Sequence, residues 1–343
     1  MPRALILGGT GAVGRATALR LLEKGWRVDL TGRNPERFDP TVRALGGHYV
    51  ESDRFERRQL AAVVGEGADL LVDCACYTAA HAHSLVSCAR DAGSTVMLSS
   101  KAVYVDERGR HSNSPAAPVF AGPIHESQAT MRPSSAAYNS PEGYGANKIA
   151  AEIVLLDSAL AVSVLRPSKI HGVGARRARE WYFVKRVLDR RPSVMLAAGG
   201  RGVDHPTAAL NLAALIEVVA ASPGRRVLNI ADPDAPSALE ISRIVAGQLG
   251  HGWREVLLED DAPQDLGRTP WSAPSPVVLD TSAAAALGYV AVGDYATTVR
   301  ATLSWLASRA SREHGAEAPD LDAAFFTTLF DYEAEDAYLS ART

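Results

Sequence analysis

Short apolar runs and amphipathic stretches alternate along the first half of the chain. Residues 4–7, 28–31, 48–51, 69–74, 95–99 and 162–166 are apolar runs of strand length. Residues 13–24, 55–64, 80–91 and 144–157 repeat apolar positions at helical spacing. Unbroken apolar runs mark strands buried on both faces, and strand–helix alternation with short connections predicts a parallel sheet covered on both sides. The expected class is α/β: a doubly wound parallel sheet over residues 1–166, then a smaller, mixed α/β region over 167–343 that is partly interleaved with it.

One connection breaks the alternation. Residues 105–143 carry Pro115, Pro118, Pro123, Pro133 and Pro141 and show no period. A loop this long within a compact domain reads as a binding loop, a lid or a surface excursion. In the second half, residues 179–190, 208–220, 238–249 and 294–307 predict helices, with Ser237 as a cap, and 226–230 predicts a strand. Residues 260–276 read as a Pro- and Asp-rich loop. The tail from Ser311 is acidic and carries Phe325, Phe326 and Phe330.

Composition narrows the function classes. Hydrophobic residues make up 47% and charged residues 22%, as in ordinary globular proteins. Lys+Arg number 36 against 39 Asp+Glu, a net charge of −3, which removes the broad positive field of a nucleic-acid binder. The longest apolar stretch, 208–221, is interrupted by Asn211 and Glu217 and falls short of the ~20 residues a membrane span needs. The N-terminal apolar run turns Gly-rich at once, unlike a leader peptide. A cytoplasmic protein with a small-molecule partner, no membrane and no nucleic acid is expected. Cys74, Cys76 and Cys88 are odd in number and lack a matching His/Cys pair at finger spacing. They read as ordinary buried thiols, with no disulfide framework and no metal.

The first strand runs into Gly8-Gly9-Thr10-Gly11-Ala12-Val13-Gly14, and a helix follows. Between the first strand and first helix of a βαβ unit, such a run suits a dinucleotide pyrophosphate: the chain turns tightly, the backbone approaches the phosphates, and the helix N-terminus faces their charge. This makes the sheet Rossmann-type, with Gly8, Thr10, Gly11, Ala12, Val13 and Gly14 against the cofactor. At the end of the second strand Gly32 leaves room and Arg33 offers a planar fork of donors suited to a 2′-phosphate. NADP is therefore expected as cofactor, with NAD as the alternative. Asp53, after the third strand, has two readings: an acceptor for the adenine amino group, or a cap for the helix that follows.

Tyr144 and Lys148 open a predicted helix, four residues apart and so on one face. A free tyrosine titrates near about 10, and a neighbouring ammonium favours its phenolate. Ser99 and Ser100 close the fifth strand, where a hydroxyl can donate to a carbonyl oxygen as charge builds on it; turn chemistry explains the same pair.

With these motifs in place, the sequence resembles an extended or atypical short-chain dehydrogenase/reductase, the NAD(P)-dependent epimerase/dehydratase family. The resemblance rests on GGTGAVG at 8–14, VDCAC at 72–76, LSSKAVY at 98–104, YGANK at 144–148 and LRPSKIHG at 165–172, and covers roughly residues 1–250. It implies Ser100 as carbonyl partner, Tyr144 as acid/base, and Lys148 as tuner and ribose anchor. It also implies that the 167–170 loop, with Pro167 and Ile170, lines the nicotinamide, and that Ala75 and Cys76 are the small residues beside the cofactor. A homodimer through the helices at 80–91 and 144–157 follows from the same likeness. Departures are Lys101 after the serine, the long insertion before Tyr144, and Gly202, Val203, Pro206 and Thr207 in place of a nucleotide-sugar segment.

These readings converge on an NADP-dependent oxidoreductase that moves hydride between the nicotinamide and a carbonyl or alcohol. A sugar or nucleotide-sugar epimerase working through a transient ketone uses the same machinery. A non-catalytic cofactor-binding regulator is the alternative of another class. Lys101, Tyr77, Trp181 and Arg201 are the candidate substrate residues. Arg176, Arg177 and Arg179 read first as a solvated helix start, and second as contacts for an anionic substrate.

Overall fold

In the computed structural model, which describes residues 1–65, 67–259, 263, 266–312 and 321–342, the apolar runs of the first half lie side by side as parallel strands. They are β1 (Arg3–Leu7), β2 (Arg27–Gly32), β3 (His48–Glu51), β4 (Ala68–Asp73), β5 (Ala92–Leu98) and β6 (Val162–Pro167). The helices between them are α1 (Ala12–Glu23), α2 (Pro40–Ala44), α3 (Arg57–Val64), α4 (Ala79–Cys88) and α5 (Pro141–Leu156). The 80–91 helix stops at Cys88, and the next strand starts at Ala92, which pairs with Ala68. The 144–157 helix begins earlier, at Pro141, because the Ser140 side chain accepts the Gly143 N–H and proline suits the first turn.

The second half contributes β7 (Lys169–His171), α6 (Trp181–Leu188), β8 (Ser193–Leu196), β9 (Pro206–Ala208), α7 (Ala209–Ala221), β10 (Arg226–Ile230), α8 (Ala238–Gln248) and β11 (Arg254–Leu257). The last elements are α9 (Ser282–Ala286), α10 (Tyr295–Thr298), α11 (Arg300–Arg312), α12 (Ala323–Phe326) and α13 (Tyr332–Ser340). A break at Val299 divides the helix expected at 294–307. The acidic residues 313–320, and 260–262 and 264–265 of the Pro/Asp loop, lie outside the described residues.

The sheet has seven strands in the order β10-β6-β5-β4-β1-β2-β3, all parallel. Its seventh strand comes from the second half: β10 pairs with β6, Val227 opposite Val164. Alternate side chains of β1 feed different cores. Ala4 and Ile6 pack with α1 and α7, while Leu5 and Leu7 pack with α3, α4 and α5. Burial on both faces explains why these strands read as continuous apolar runs. A separate core joins Trp181, Tyr182, Phe183, Trp271, Tyr295 and Leu303 around α6, α8 and α11. Among the described residues no helix is long and apolar enough to cross a membrane, and no group of His, Cys, Asp or Glu is arranged to hold a metal.

Beyond β6 the chain forms a second, two-stranded parallel ladder, β7 with β9. A buried pair fixes it. His171 Nε2 lies 2.8 Å from Asp232 Oδ2, and Asp232 Oδ1 accepts from the Ala208 N–H at 2.6 Å and Asn211 Nδ2 at 2.8 Å. One carboxylate, just past β10, thus ties together β7, β9 and α7. Burial works against the His171 charge, but the hydrogen bond and charge of Asp232 outweigh it and raise the imidazole above its ordinary value. A raised folded value means that this pair stabilises the fold fully below the unfolded histidine's ~6.5 and loses that contribution as pH rises through the folded value. Urea midpoints measured from about pH 6 to pH 9 are expected to fall more steeply in the wild type than in His171→Gln; parallel profiles contradict this.

Candidate active site

The turn between β1 and α1 depends on glycine at two points. Gly8 adopts a φ of +69°, a conformation side chains disfavour. A Cβ on Gly14 would lie 2.4 Å from the Gly9 Cα, so α1 packs this closely on the turn only without one. Gly11 is the N-cap of α1, with no side-chain cap and no acidic residue in the first turn, and a Cβ there would meet nothing within 4 Å. An uncapped helix start facing open space suits a pyrophosphate, which would meet free N–H groups and the positive end of the helix dipole. Thr10, Ala12 and Val13 complete this cradle. Ala75 lies against Gly8, and Ile170 packs with Ala12 and Ala16. The stretch expected as a 167–170 loop is mostly strand: Pro167 ends β6 opposite Ile230, and Ile170 lies in β7, from where it reaches the start of α1.

At the other end of the cradle, Gly32 closes β2. A Cβ there would press on Thr10 and Tyr49, at 2.9 and 3.3 Å. The Arg33 side chain is 71% exposed, with Nη1 4.0 Å from Asp53 Oδ2. Asp53 Oδ1 accepts the Phe55 N–H at 2.9 Å, so this residue turns the chain ahead of α3 while its second oxygen faces Arg33. Asp29 is buried mid-strand against Arg3 and His48, at 2.7 and 3.2 Å.

Lys148 sits on the fourth and fifth strands' carboxyl ends. Its ammonium donates to the Cys76 and Leu98 carbonyls, both at 2.8 Å, and is buried. The Tyr77 ring lies 4.4 Å away over the same charge, a cation–π contact. The Cys76 carbonyl is held in place from below. Asp73, at the end of β4, accepts the Ala75 N–H at 2.9 Å and forms a buried ion pair with Arg54. Burial opposes the Arg54 charge, but Asp73 more than restores it and raises its pKa. Burial, and then Asp73, pushes the Cys74 and Cys76 thiols up to about 12, so they stay protonated and unreactive.

The two serines after β5 have different environments. Ser99 is buried and donates to Glu152, one helical turn beyond Lys148. Glu152 also takes Arg166 Nη2 and Nε, at 2.5 and 3.1 Å, and Arg166 Nη1 reaches the Tyr104 hydroxyl at 3.1 Å. Burial works against the Arg166 charge, yet Glu152 and Tyr104 raise its pKa. Ser100 is half-buried and accepts only the Ala102 N–H, at 3.2 Å, which leaves its hydroxyl proton available. Tyr144 lies in the first turn of α5, half-buried, and its phenol has no hydrogen-bond partner among the described residues.

The remaining candidates scatter. Tyr77 is stacked on Tyr138 of the 105–143 segment, ring centroids 5.3 Å apart; burial, then the neighbouring Tyr144, pushes its phenol up to about 12. Lys101 is buried in the turn after Ser100 and contacts Asp204. Trp181 is a buried side chain of the second core. Arg201 is exposed beyond the 197–200 turn and pairs with no carboxylate among the described residues. Arg176 and Arg177 are exposed, while Arg179 is half-buried and donates to the Ile170 carbonyl at 3.4 Å. Sequence reasoning missed Arg54, Asp73, Glu152, Arg166 and Lys169. The available signal was a lone charge within an apolar element: Glu152 in α5, Arg166 in β6, Asp73 closing β4.

The comparisons agree with this geometry. The model of the NAD dependent epimerase/dehydratase family matches residues 4–204. No curated protein sequence matches the chain. Among solved structures, the UDP-N-acetylglucosamine 4-epimerase from Bacillus cereus is similar with a TM-score of 0.67 and 15% identity, covering 90% of this chain and 100% of the other. The dTDP-glucose 4,6-dehydratase from Streptomyces venezuelae, solved with NAD and TYD, has a TM-score of 0.67 and 18% identity over 92% of this chain and 100% of its own. The UDP-glucose 4-epimerase from Thermotoga maritima, solved with UDP-glucose, has a TM-score of 0.66 and 14% identity over 91% and 100%.

The two serines separate stability from chemistry. Ser99→Ala leaves part of the Glu152 carboxylate without its donor and is expected to cost about 1–3 kcal/mol. Ser100→Ala should stay within about 0.5 kcal/mol of the wild type. Glu152→Gln, which strands a buried guanidinium, should cost about 3–5 kcal/mol. Denaturant unfolding of the three variants measures the order; a Ser100→Ala loss as large as that of Ser99→Ala would contradict the assignment.

Proposed function

The chain belongs to the NAD dependent epimerase/dehydratase family, and from that premise we propose that it is an NADP-dependent oxidoreductase acting on a carbonyl or alcohol of a small molecule. The observation that carries this reading is the arrangement at the carboxyl ends of β4 and β5. Lys148 is seated on two carbonyls there, Tyr144 stands one helical turn before it with an unengaged phenol, and Ser100 keeps a free hydroxyl proton.

The residues present fit a dinucleotide: the open, uncapped start of α1 suits the pyrophosphate, and the Lys148 ammonium has one donor left for a ribose hydroxyl. When bound, the dinucleotide supplies or accepts the hydride. In the reducing direction Ser100 donates a hydrogen bond to the substrate carbonyl oxygen, and Tyr144 transfers its proton to that oxygen as the carbon becomes a carbinol. In the oxidising direction Tyr144 takes the proton back. Lys148, one helical turn along α5 from Tyr144, would place a fixed positive charge on the same side of the site. Run first in the oxidising and then in the reducing direction, with the ketone's other face presented to the hydride, the same steps would epimerise a carbinol, a reading the family supports. Lys101 beside Ser100, with no Asp-Glu pair there, argues against a dehydratase.

Arg33 supports the choice of NADPH. Its guanidinium is mostly free in solvent, and Gly32 leaves no side chain between it and Thr10. The homodimer through α4 and α5 belongs to the same proposal and rests on the family likeness.

Three measurements test the proposal. Tyr144→Phe should lower turnover by about a hundredfold or more while dinucleotide binding, read by NADPH fluorescence, stays within about twofold; retained turnover sinks the catalytic reading, and the regulator then stands. Wild type should prefer NADPH to NADH by kcat/KM, and Arg33→Ala should remove that preference. Equal efficiency with both cofactors in the wild type overturns the NADP assignment. Turnover of a carbinol with no net change in free dinucleotide identifies the epimerase.

A further inference from the structure

Three basic side chains converge next to Ser100 with too few carboxylates for them. Lys101 follows Ser100 directly, in the 101–103 turn. Lys169 lies in β7, just beyond the end of β6, and β6 is the neighbour of β5 in the sheet. Both ammoniums share one partner: Lys101 contacts Asp204 Oδ1, and Lys169 Nζ lies 2.9 Å from Asp204 Oδ2. Lys169 also donates to the Pro270 carbonyl at 2.5 Å, beneath the Trp271 ring at 5.8 Å. Arg179 holds to the Ile170 carbonyl in the same β7 strand and has no carboxylate within ion-pair range among the described residues. Its neighbour Glu180 is turned into the second core, where it accepts the Tyr295 hydroxyl at 3.3 Å.

The surroundings are largely dry. The Lys101 and Lys169 side chains are 8% and 17% exposed, and that of Asp204 is 12% exposed. Burying an ion costs several kcal/mol, and the one carboxylate in contact with this group, Asp204, is shared by both lysines, while Glu180 acts on Arg179 without pairing with it. Burial, and then Arg179, lowers both ammoniums well below the ordinary lysine value, so their contact with Asp204 does not offset the crowding. The chain as a whole is at net −3, so this local excess is not a reflection of composition. Two further polar atoms here, Ser168 Oγ and Trp271 Nε1, are buried without a hydrogen-bond partner. An incoming anion would relieve the repulsion and give these donors something to bind.

We propose that Lys101, Lys169 and Arg179 form a subsite for an anionic oxygen group of the substrate, a carboxylate or a phosphate ester, close to the carbon that reacts at Ser100. The substrate class is then a hydroxy acid or hydroxyalkyl phosphate with its keto counterpart. Asp204 bridges the two lysines until the anion arrives. The inference rests on reading Ser100, Tyr144 and Lys148 as the reacting site.

The test uses the full chain saturated with NADP⁺, so that phosphate-binding positions along the cofactor are filled. Calorimetry at constant ionic strength measures malonate, inorganic phosphate and uncharged malonamide. At least one anion should bind about tenfold or more tightly than malonamide. A preference for malonate identifies a carboxylate, and one for phosphate identifies a phosphate ester. Lys101→Met and Lys169→Met should each weaken the anion by about tenfold or more, Arg179→Gln by less, and Asp204→Asn should tighten it. If a lysine variant does not fold, Arg179→Gln and Asp204→Asn still decide: unchanged anion affinity in both overturns the proposal. So does a wild type that binds neither anion better than malonamide while NADPH binding is intact; the oxidoreductase reading survives that result. A chain that binds no dinucleotide overturns both.

Discussion

A buried ammonium must have its donors satisfied, and in this protein that demand organises the site. Lys148 spends two donors on the Cys76 and Leu98 carbonyls. The Leu98 carbonyl ends β5 and the Cys76 carbonyl lies in the turn just past β4, so the lysine ties α5 to the ends of two adjacent parallel strands at once. It can do so only if both strand ends are rigid. Two buried ion pairs see to this from opposite sides. Arg54 with Asp73 fixes the turn that presents Cys76, and Glu152 with Arg166 fixes α5 against β6. Ser99, bonded to Glu152, extends the second pair to the end of β5, and Ser100 follows in a set position. Each pair is expensive to bury and costly to break, which suits positioning better than stability for its own sake.

The hierarchy explains what the sequence revealed. Local signals were legible. The glycine turn, the Ser100 position and the four-residue spacing of Tyr144 and Lys148 each encode geometry within a few residues. The parallel sheet was legible too, since strands buried on both faces must read as apolar runs. Long-range partners were not. A lone Glu152 in α5 announces that it needs a cation, yet nothing within the chain order names Arg166. The strand at 226–230 was visible, but its place beside β6 depends on α7 crossing over α1, a packing decision made by two apolar surfaces. Trp181 is a candidate substrate residue by its placement near the strand ends, yet it is buried with its neighbours Tyr182 and Phe183 in a core around α6.

The 105–143 segment shows how an irregular stretch can be held without regular structure. The Asp106 carboxylate collects the backbone N–H groups of Arg108, Arg110 and Val119, and the Arg110 side chain as well. Farther along, Glu126 accepts the Asn229 N–H at 2.7 Å, and Asn229 in turn donates to the Ile124 carbonyl at 2.8 Å and accepts the Tyr104 hydroxyl at 2.6 Å. Near its end, Asn147 of α5 donates to the Ala136 carbonyl at 2.7 Å. Side-chain carboxylates and amides do here what a ladder does in a sheet, as backbone groups demand partners wherever they are buried.

That anchoring has a consequence for the site, because the segment ends on Tyr138, stacked on the Tyr77 ring that covers the Lys148 ammonium. Phe55, just ahead of α3, and His81 of α4 close the same aromatic cluster. The lysine is thus bounded by carbonyls on the sheet side and by an aromatic face on the other, and a cation between them is kept from water without being neutralised. Two of its three donors are spent on the carbonyls, and the third is left for a ligand. On the far side of Ser100, Asp204 plays the corresponding part for Lys101 and Lys169, but there the carboxylate is outnumbered. Basic side chains therefore flank Ser100 in the proposed site: Lys148 enclosed by the fold, Lys101 and Lys169 left for a ligand to complete.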